Sequence, residues 1–392
     1  MYAHPFDQTE YRQRIQNTKT RMLERGVEIL LCTNPANMCY LTGYDGWSFY
    51  VHQLVLVALD DEDPHWIGRG IDANAAKVTT FLSENHIHPY ADDYVHSTVK
   101  HPMDFVSDLI KEKGWARRAI GVEMDTYYFT AACFASLSRN LPNCRLLDTT
   151  TLVNWVRNIK SEQEIAYMTQ AARIVENMMQ TGIENIRPGV RQCDAVAQIY
   201  HAMVSGTPEF GGDYSAICPM LPTGVGTSTP HLTWTDAPFT VDEGTILELA
   251  GTRFRYHCPM ARTVQLGQPP KKLASAAEVV VEGLDNALDA VGPGVTCESV
   301  ERAWRETIEK HGIVKDSRIG YSTGLNYPPD WGEGTLSLRP GDKTELKPNM
   351  TLHMIPGVWM DDWGIEISEC FRVTEKGAET FCNFPRKLFV KD

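Results

Sequence analysis

Residues 246–264 read Ile246-Leu-Glu-Leu-Ala-Gly-Thr-Arg-Phe-Arg-Tyr-His-Cys-Pro-Met-Ala-Arg-Thr-Val264. The stretch reads as two strands joined by a tight turn. Glu248 falls in the middle of the first strand, among Leu247, Leu249 and Ala250. A carboxylate in such a place is costly unless a cation or hydrogen bonds satisfy it. Either a nearby arginine, such as Arg253 or Arg255, holds it, or it serves a cationic ligand. Eleven residues on, the second strand carries Pro259, which has no donor atom for a metal. His257 lies two residues before Pro259, so strand alternation puts both on one face. That histidine either borders a pocket or is satisfied by its neighbours.

Outward from the hairpin, the chain has 392 residues, more than one compact domain usually holds. It is 43% hydrophobic and 22% charged, as soluble globular proteins are. The net charge of −13 argues against nucleic acid as partner. The apolar runs are too short for a membrane span. The start, Met1-Tyr-Ala-His-Pro-Phe-Asp7, has neither the basic nor the apolar region of a signal peptide. Ten cysteines are scattered without a Cys-x-x-Cys pair. They read as buried thiols in a reducing compartment, neither a disulfide framework nor a zinc site. Together these predict a cytoplasmic protein.

Before the hairpin, an amphipathic helix is predicted over 8–26 and strands over 28–33, 53–59, 65–69 and 118–123. Helices are predicted over 74–84 and 103–113 between them. Strands alternating with helices suggest an α/β domain. Ser161-Glu-Gln-Glu164 resembles a capping box that opens a helix to about Asn185. Further helices are predicted over 193–203, 272–291 and 297–311, with strands over 350–355 and 366–373. The fold class is α/β (α+β), in two domains, 1–157 and 158–392.

Four segments carry a family resemblance. Asn34-Pro-Ala-Asn-Met-Cys-Tyr-Leu-Thr-Gly43 resembles a segment of creatinase and prolidase amino-terminal domains. Ile159-Lys-Ser-Glu-Gln-Glu-Ile165 resembles the entry to the pita-bread catalytic domain of the creatinase and aminopeptidase-P superfamily. Leu346-Lys-Pro-Asn-Met350 with Pro356-Gly357, and Val373-Thr-Glu-Lys-Gly377, resemble its late strands. The resemblance places the family's five metal ligands at Glu248, Pro259, Tyr321, Ile355 and either Ser368 or Glu369. Proline and isoleucine cannot ligate, and the one or two remaining carboxylates cannot hold a metal pair. The resemblance therefore implies a hydrolase that works without metal or other cofactor, as the creatinase branch does on a small zwitterion. Within that branch, Leu41-Thr-Gly-Tyr-Asp-Gly-Trp-Ser-Phe-Tyr50 and the Glu248 hairpin resemble members that open a cyclic amidine of the ectoine type. It also implies a homodimer in which Trp47 lids the partner's site. The rivals are a creatinase-like hydrolase or lyase of another small zwitterion and, from another class, an inactive binding module on the same fold.

An ectoine-like substrate pairs an amidinium with a carboxylate. Its site needs an anion, donors, an acid/base and aromatic walls. Glu248 suits an electrostatic anchor, a base for water or a nucleophile on the amidinium carbon. His231 matches the family's acid/base histidine, and imidazole titrates in the useful range. Glu366 and Glu369 lie on opposite faces of one predicted strand, so one faces the site unless a bulge intervenes. Glu369 is the candidate second anion or orienter of His231, and Glu366 a substrate contact. Tyr321 and Thr323 offer hydroxyls for the substrate carboxylate. Asp213 and Tyr214 are candidate lining residues. Trp359, Asp361, Asp362 and Trp363 form an aromatic and acidic cluster, from which Trp359 is the candidate wall.

Overall fold

The computed structural model describes residues 5–392, and the chain divides into two compact units, Met1–Arg157 and Asn158–Asp392. The first unit is built on a mixed sheet of six strands. They are β1 (Ile29–Cys32), β2 (Leu54–Ala58), β3 (His65–Arg69), β4 (Ile87–Tyr90), β5 (Ala119–Val122) and β6 (Arg145–Asp148), in the order β4-β3-β2-β1-β5-β6. Helices α1 (Gln8–Glu24), α2 (Pro35–Thr42), α3 (Ala73–Thr79), α4 (Pro102–Glu112), α5 (Ala131–Asn140) and α6 (Leu152–Val156) accompany it. β1, β2 and β5 are buried along their whole length, which explains why they read as unbroken apolar runs. The helix expected over 74–84 stops at Thr79. Thr80 turns to extended backbone there, and its hydroxyl donates back to the Ala76 carbonyl at 2.7 Å.

The second unit begins with α7 (Glu162–Asn185), whose capping box is present as expected. Ser161 N donates to the Glu164 carboxylate at 2.8 Å, and Glu164 N donates to Ser161 Oγ at 3.2 Å. α8 (Gln192–Ser205) packs against α7, and α9 (Lys271–Asp289) against α10 (Cys297–Glu309). The expected hairpin is there. β7 (Gly244–Arg253) pairs antiparallel with β8 (Tyr256–Leu266), and Glu248 lies opposite Ala261. Its two-residue turn holds Phe254 and Arg255 at φ of 49° and 66°, the left-handed backbone that suits the twist of a tight hairpin.

A second sheet orders β10 (Gly332–Leu338), β9 (Gly320–Thr323), β11 (Thr351–Met354), β14 (Glu369–Thr374) and β15 (Gly377–Thr380). β12 (Gly357–Trp359) and β13 (Gly364–Glu366) form a small hairpin, and β16 (Phe389–Lys391) runs parallel to β8. The single strand expected over 366–373 is therefore two. Ile367 and Ser368 separate them, and Ser368 N donates to the Ala261 carbonyl at 3.1 Å.

Candidate active site

Strand alternation puts Glu248 and Ala250 on one face of β7. Ala250 packs in a small buried cluster with Ala216 and Trp331, against Ile217 and Tyr321. Glu248 is 5% exposed, and its carboxyl makes no hydrogen bond or ion pair among the described residues. Arg253 turns to Gln170 and the Phe254 ring, while Arg255 lies 3.5 Å over the Tyr214 ring. The arginines that would have neutralised Glu248 are committed elsewhere. Burial, with the charge of Asp330 adding to it, raises the Glu248 pKa to about 8.

Glu366, at the end of β13, is completely buried, and neither carboxyl oxygen has a hydrogen-bond partner among the described residues. Burial raises its pKa strongly, and the Glu248 charge raises it further, while the Lys315 ammonium opposes both. A buried carboxyl with no partner among the described residues points to a bound water or ion or to a catalytic role. Lys315 belongs to the same cluster. It donates to the Gly357 carbonyl at 2.8 Å and stands 4.1 Å from the Trp359 ring centre. Burial lowers its pKa to about 8, with Glu366 opposing. The Trp359 ring lies over Gly357 and Gly364, where any Cβ would meet the indole.

Tyr321 completes the group. Its hydroxyl accepts from Trp331 Nε1 at 2.8 Å and lies 3.1 Å from His353 Nδ1. Burial and the Glu248 charge both push its pKa up. Glu248, Glu366, Tyr321 and Trp359 are thus brought into one neighbourhood, together with Lys315, Trp331 and His353. Sequence reasoning missed those last three. Each arrives from a distant segment, and only a lysine or histidine flanked by apolar residues hinted at burial.

The remaining expectations divide. Glu369 sits apart from Glu366, held by Arg262 Nη2 at 2.7 Å. The break at 367–368 gives the two glutamates separate strands; Glu369 Oε1 is held by Arg262, while its Oε2 is buried without a hydrogen-bond partner among the described residues. Thr323 is fully buried, and its hydroxyl donates to the Trp331 carbonyl at 3.0 Å. Asp213 accepts from Arg255 N at 3.4 Å, beside the hairpin turn and several residues along from Glu248. Asp361 and Asp362 are exposed, and Asp362 pairs with Lys272. His257 is fully buried, accepts from Ala216 N at 2.9 Å, and has its pKa lowered to about 4 by burial. It braces the loops around the site. His231 is exposed and has no hydrogen bond among the described residues. Its neighbour Leu232 accepts from Leu221 N at 3.1 Å, and Met220 bridges Glu248 through two backbone hydrogen bonds of 3.1 and 3.2 Å. The histidine loop is therefore tethered one residue from the partner of Glu248. Trp47 is in the first unit and is 58% exposed.

The donor set does not fit a metal pair. Among the described residues, two groups of three donors lie within 4.8 Å, His52/His101/Cys133 and Asp61/His65/His86, and neither includes Glu248. Of the positions that the resemblance assigns to metal ligands, Pro259 and Ile355 carry no donor and Ser368 is already hydrogen-bonded to His353.

Fold and site define a class. Residues 166–375 match the Metallopeptidase family M24, and residues 14–159 match the Creatinase/Prolidase N-terminal domain. The chain belongs to this family and is a hydrolase. Among solved structures it is similar to an X-Pro aminopeptidase from Thermotoga maritima, with a TM-score of 0.81 at 20% identity, covering 96% of this chain and 99% of that one. Prolidase from Thermococcus sibiricus gives a TM-score of 0.84, also at 20% identity, over 97% and 99% of the two chains. These likenesses speak for the fold alone. A nearer relative is the ectoine hydrolase of Halomonas elongata, 47% identical over 99% of this chain and 98% of that protein.

Proposed function

We propose that the chain hydrolyses ectoine to N-acetyl-2,4-diaminobutyrate without a metal, and that it does so as a cytoplasmic homodimer. The observation that carries this reading is the buried, unpartnered Glu366 carboxyl within the field of Glu248. Two buried acids suit an amidinium, and Lys315 and the Tyr321 hydroxyl suit the carboxylate of the same zwitterion. Trp359 supplies an aromatic wall.

The reaction adds water to the amidinium carbon and breaks one ring C–N bond, and the departing nitrogen takes a proton. Glu248 does the first part, either as base toward water or as nucleophile on the carbon. Two acids whose surroundings separate their titrations divide the work of base and acid between them. Glu366, whose pKa burial also raises strongly, serves as the acid that holds a proton beside Glu248. His231 carries protons to and from the departing nitrogen. Neutralising Glu248 by the cationic substrate replaces the protein's missing counter-charge. The relative's name supports the substrate, and the absence of donors at Pro259 and Ile355 supports the metal-free route.

Glu248→Gln tests the assignment, because it keeps shape and removes charge. Turnover of ectoine should fall at least about 10²-fold, with circular dichroism unchanged. Near wild-type turnover by a well-folded variant would refute it. If Glu248 only anchors the substrate, affinity falls with rate. If it is base or nucleophile, affinity persists.

A further inference from the structure

We propose that Ser368 and His353 are positioning residues that make the Tyr321 hydroxyl an obligate hydrogen-bond donor to an oxygen of the substrate. The argument is a proton count along a buried chain. Trp331 Nε1 donates to Tyr321 Oη at 2.8 Å. Tyr321 Oη lies 3.1 Å from His353 Nδ1, and His353 Nε2 lies 2.8 Å from Ser368 Oγ. Ser368 Oγ accepts from Ala261 N at 2.7 Å. His353 and Ser368 are both fully buried. Burial, with Arg262 and Arg318 nearby, lowers the His353 pKa to about 3, so the ring carries one N–H.

That single proton can sit on either nitrogen. With it on Nε2, the histidine donates to Ser368 Oγ, which then accepts twice. The serine hydroxyl hydrogen is left with no acceptor, since among the described residues Ser368 Oγ has only Ala261 N and His353 Nε2 within reach. A buried donor without a partner is penalised. With the proton on Nδ1, the fully buried serine is served, and the one hydrogen left over is that of Tyr321, on a side chain that is only partly buried. Ser368 accepts from Ala261 and donates to Nε2, and Nδ1–H donates to Tyr321. Tyr321 Oη then accepts from both Trp331 and His353, so its own hydrogen must point away from both. Tyr321 packs against the Ala250 cluster, on the face of β7 that carries Glu248, so its hydrogen is available to a substrate oxygen on that side. A substrate oxygen placed there meets a donor that cannot turn into an acceptor.

The chain of bonds stands on geometry alone. Naming the oxygen as ectoine's carboxylate rests on the proposed function. The test is nitrogen-15 NMR of the histidine rings in the full-length protein without substrate, with the His353 signal assigned by a His353→Gln variant. The expected result is a neutral ring protonated at Nδ1, and protonation at Nε2 would overturn the proposal. Ser368→Ala should shift the tautomer toward Nε2 and lower kcat/KM for ectoine about tenfold. Ser368→Thr, which keeps the hydroxyl, should restore both. An unchanged tautomer in Ser368→Ala would also overturn it. The predicted tautomer in a protein that does not turn over ectoine would support the relay and remove only the substrate.

Discussion

Glu248 is an acid kept where water cannot solvate its charge, and that has a cost that can be measured. Its pKa rises from 4.5 to about 8 on folding. Between those values the unfolded chain has lost the proton while the folded chain still holds it. The stability tied to this group is therefore full below about pH 4.5 and is lost as pH rises through about 8. Glutamine does not titrate, so Glu248→Gln should gain stability relative to wild type across that window. Urea unfolding at about pH 5 and about pH 8 checks this, and a difference that stays constant would contradict it. Glu248 was legible in the sequence because a carboxylate amid leucines has to be accounted for locally. Lys315 and His353 were not, since their meaning depends on Glu366 and Tyr321, which tertiary contacts alone bring near. Glu366 and Glu369 were read on one strand with a bulge left open between them, and the break at Ile367 and Ser368 is what separates them.

At the level of elements, β8 carries the scaffold that holds the site in place. Arg262 is fully buried and binds the carbonyls of Ala261, Ser368, Pro385 and Phe384 at 2.6–3.1 Å as well as Glu369. Removing one partner of such a pair strands the other charge. Glu369→Ala should thus cost about 3–5 kcal/mol of unfolding free energy. A loss below about 1 kcal/mol in denaturant unfolding would show that the pair is not structural. The long capped helix α7 and the β7–β8 hairpin could be read from periodicity, capping and turn signals. Helix α2 could not. All eight of its residues are buried, so no amphipathic period exists, even though Asn34 caps it and Gly43 ends it at φ 84°. β13 and β14 were merged because no glycine or proline marks the break between them.

At the level of the whole molecule, the two units keep the order of a Creatinase/Prolidase N-terminal domain followed by an M24 domain. No helix among the described residues is long and apolar enough to cross a membrane. Trp47, Tyr50 and Tyr127 are 58%, 61% and 77% exposed, an aromatic surface suited to a second copy. Light scattering should give twice the 44.1 kDa chain mass, and Trp47→Ala should lower activity. A fully active monomer would contradict the dimer. The central claim is that this M24 hydrolase opens a cyclic amidine with carboxyls in place of metals. Its most direct test is to strip the purified protein with chelator, confirm the metal content by elemental analysis, and follow ectoine by proton NMR. Ring opening to the N-acetyl product at the untreated rate is the predicted result. Loss of turnover on chelation, restored by zinc or manganese, would contradict the account.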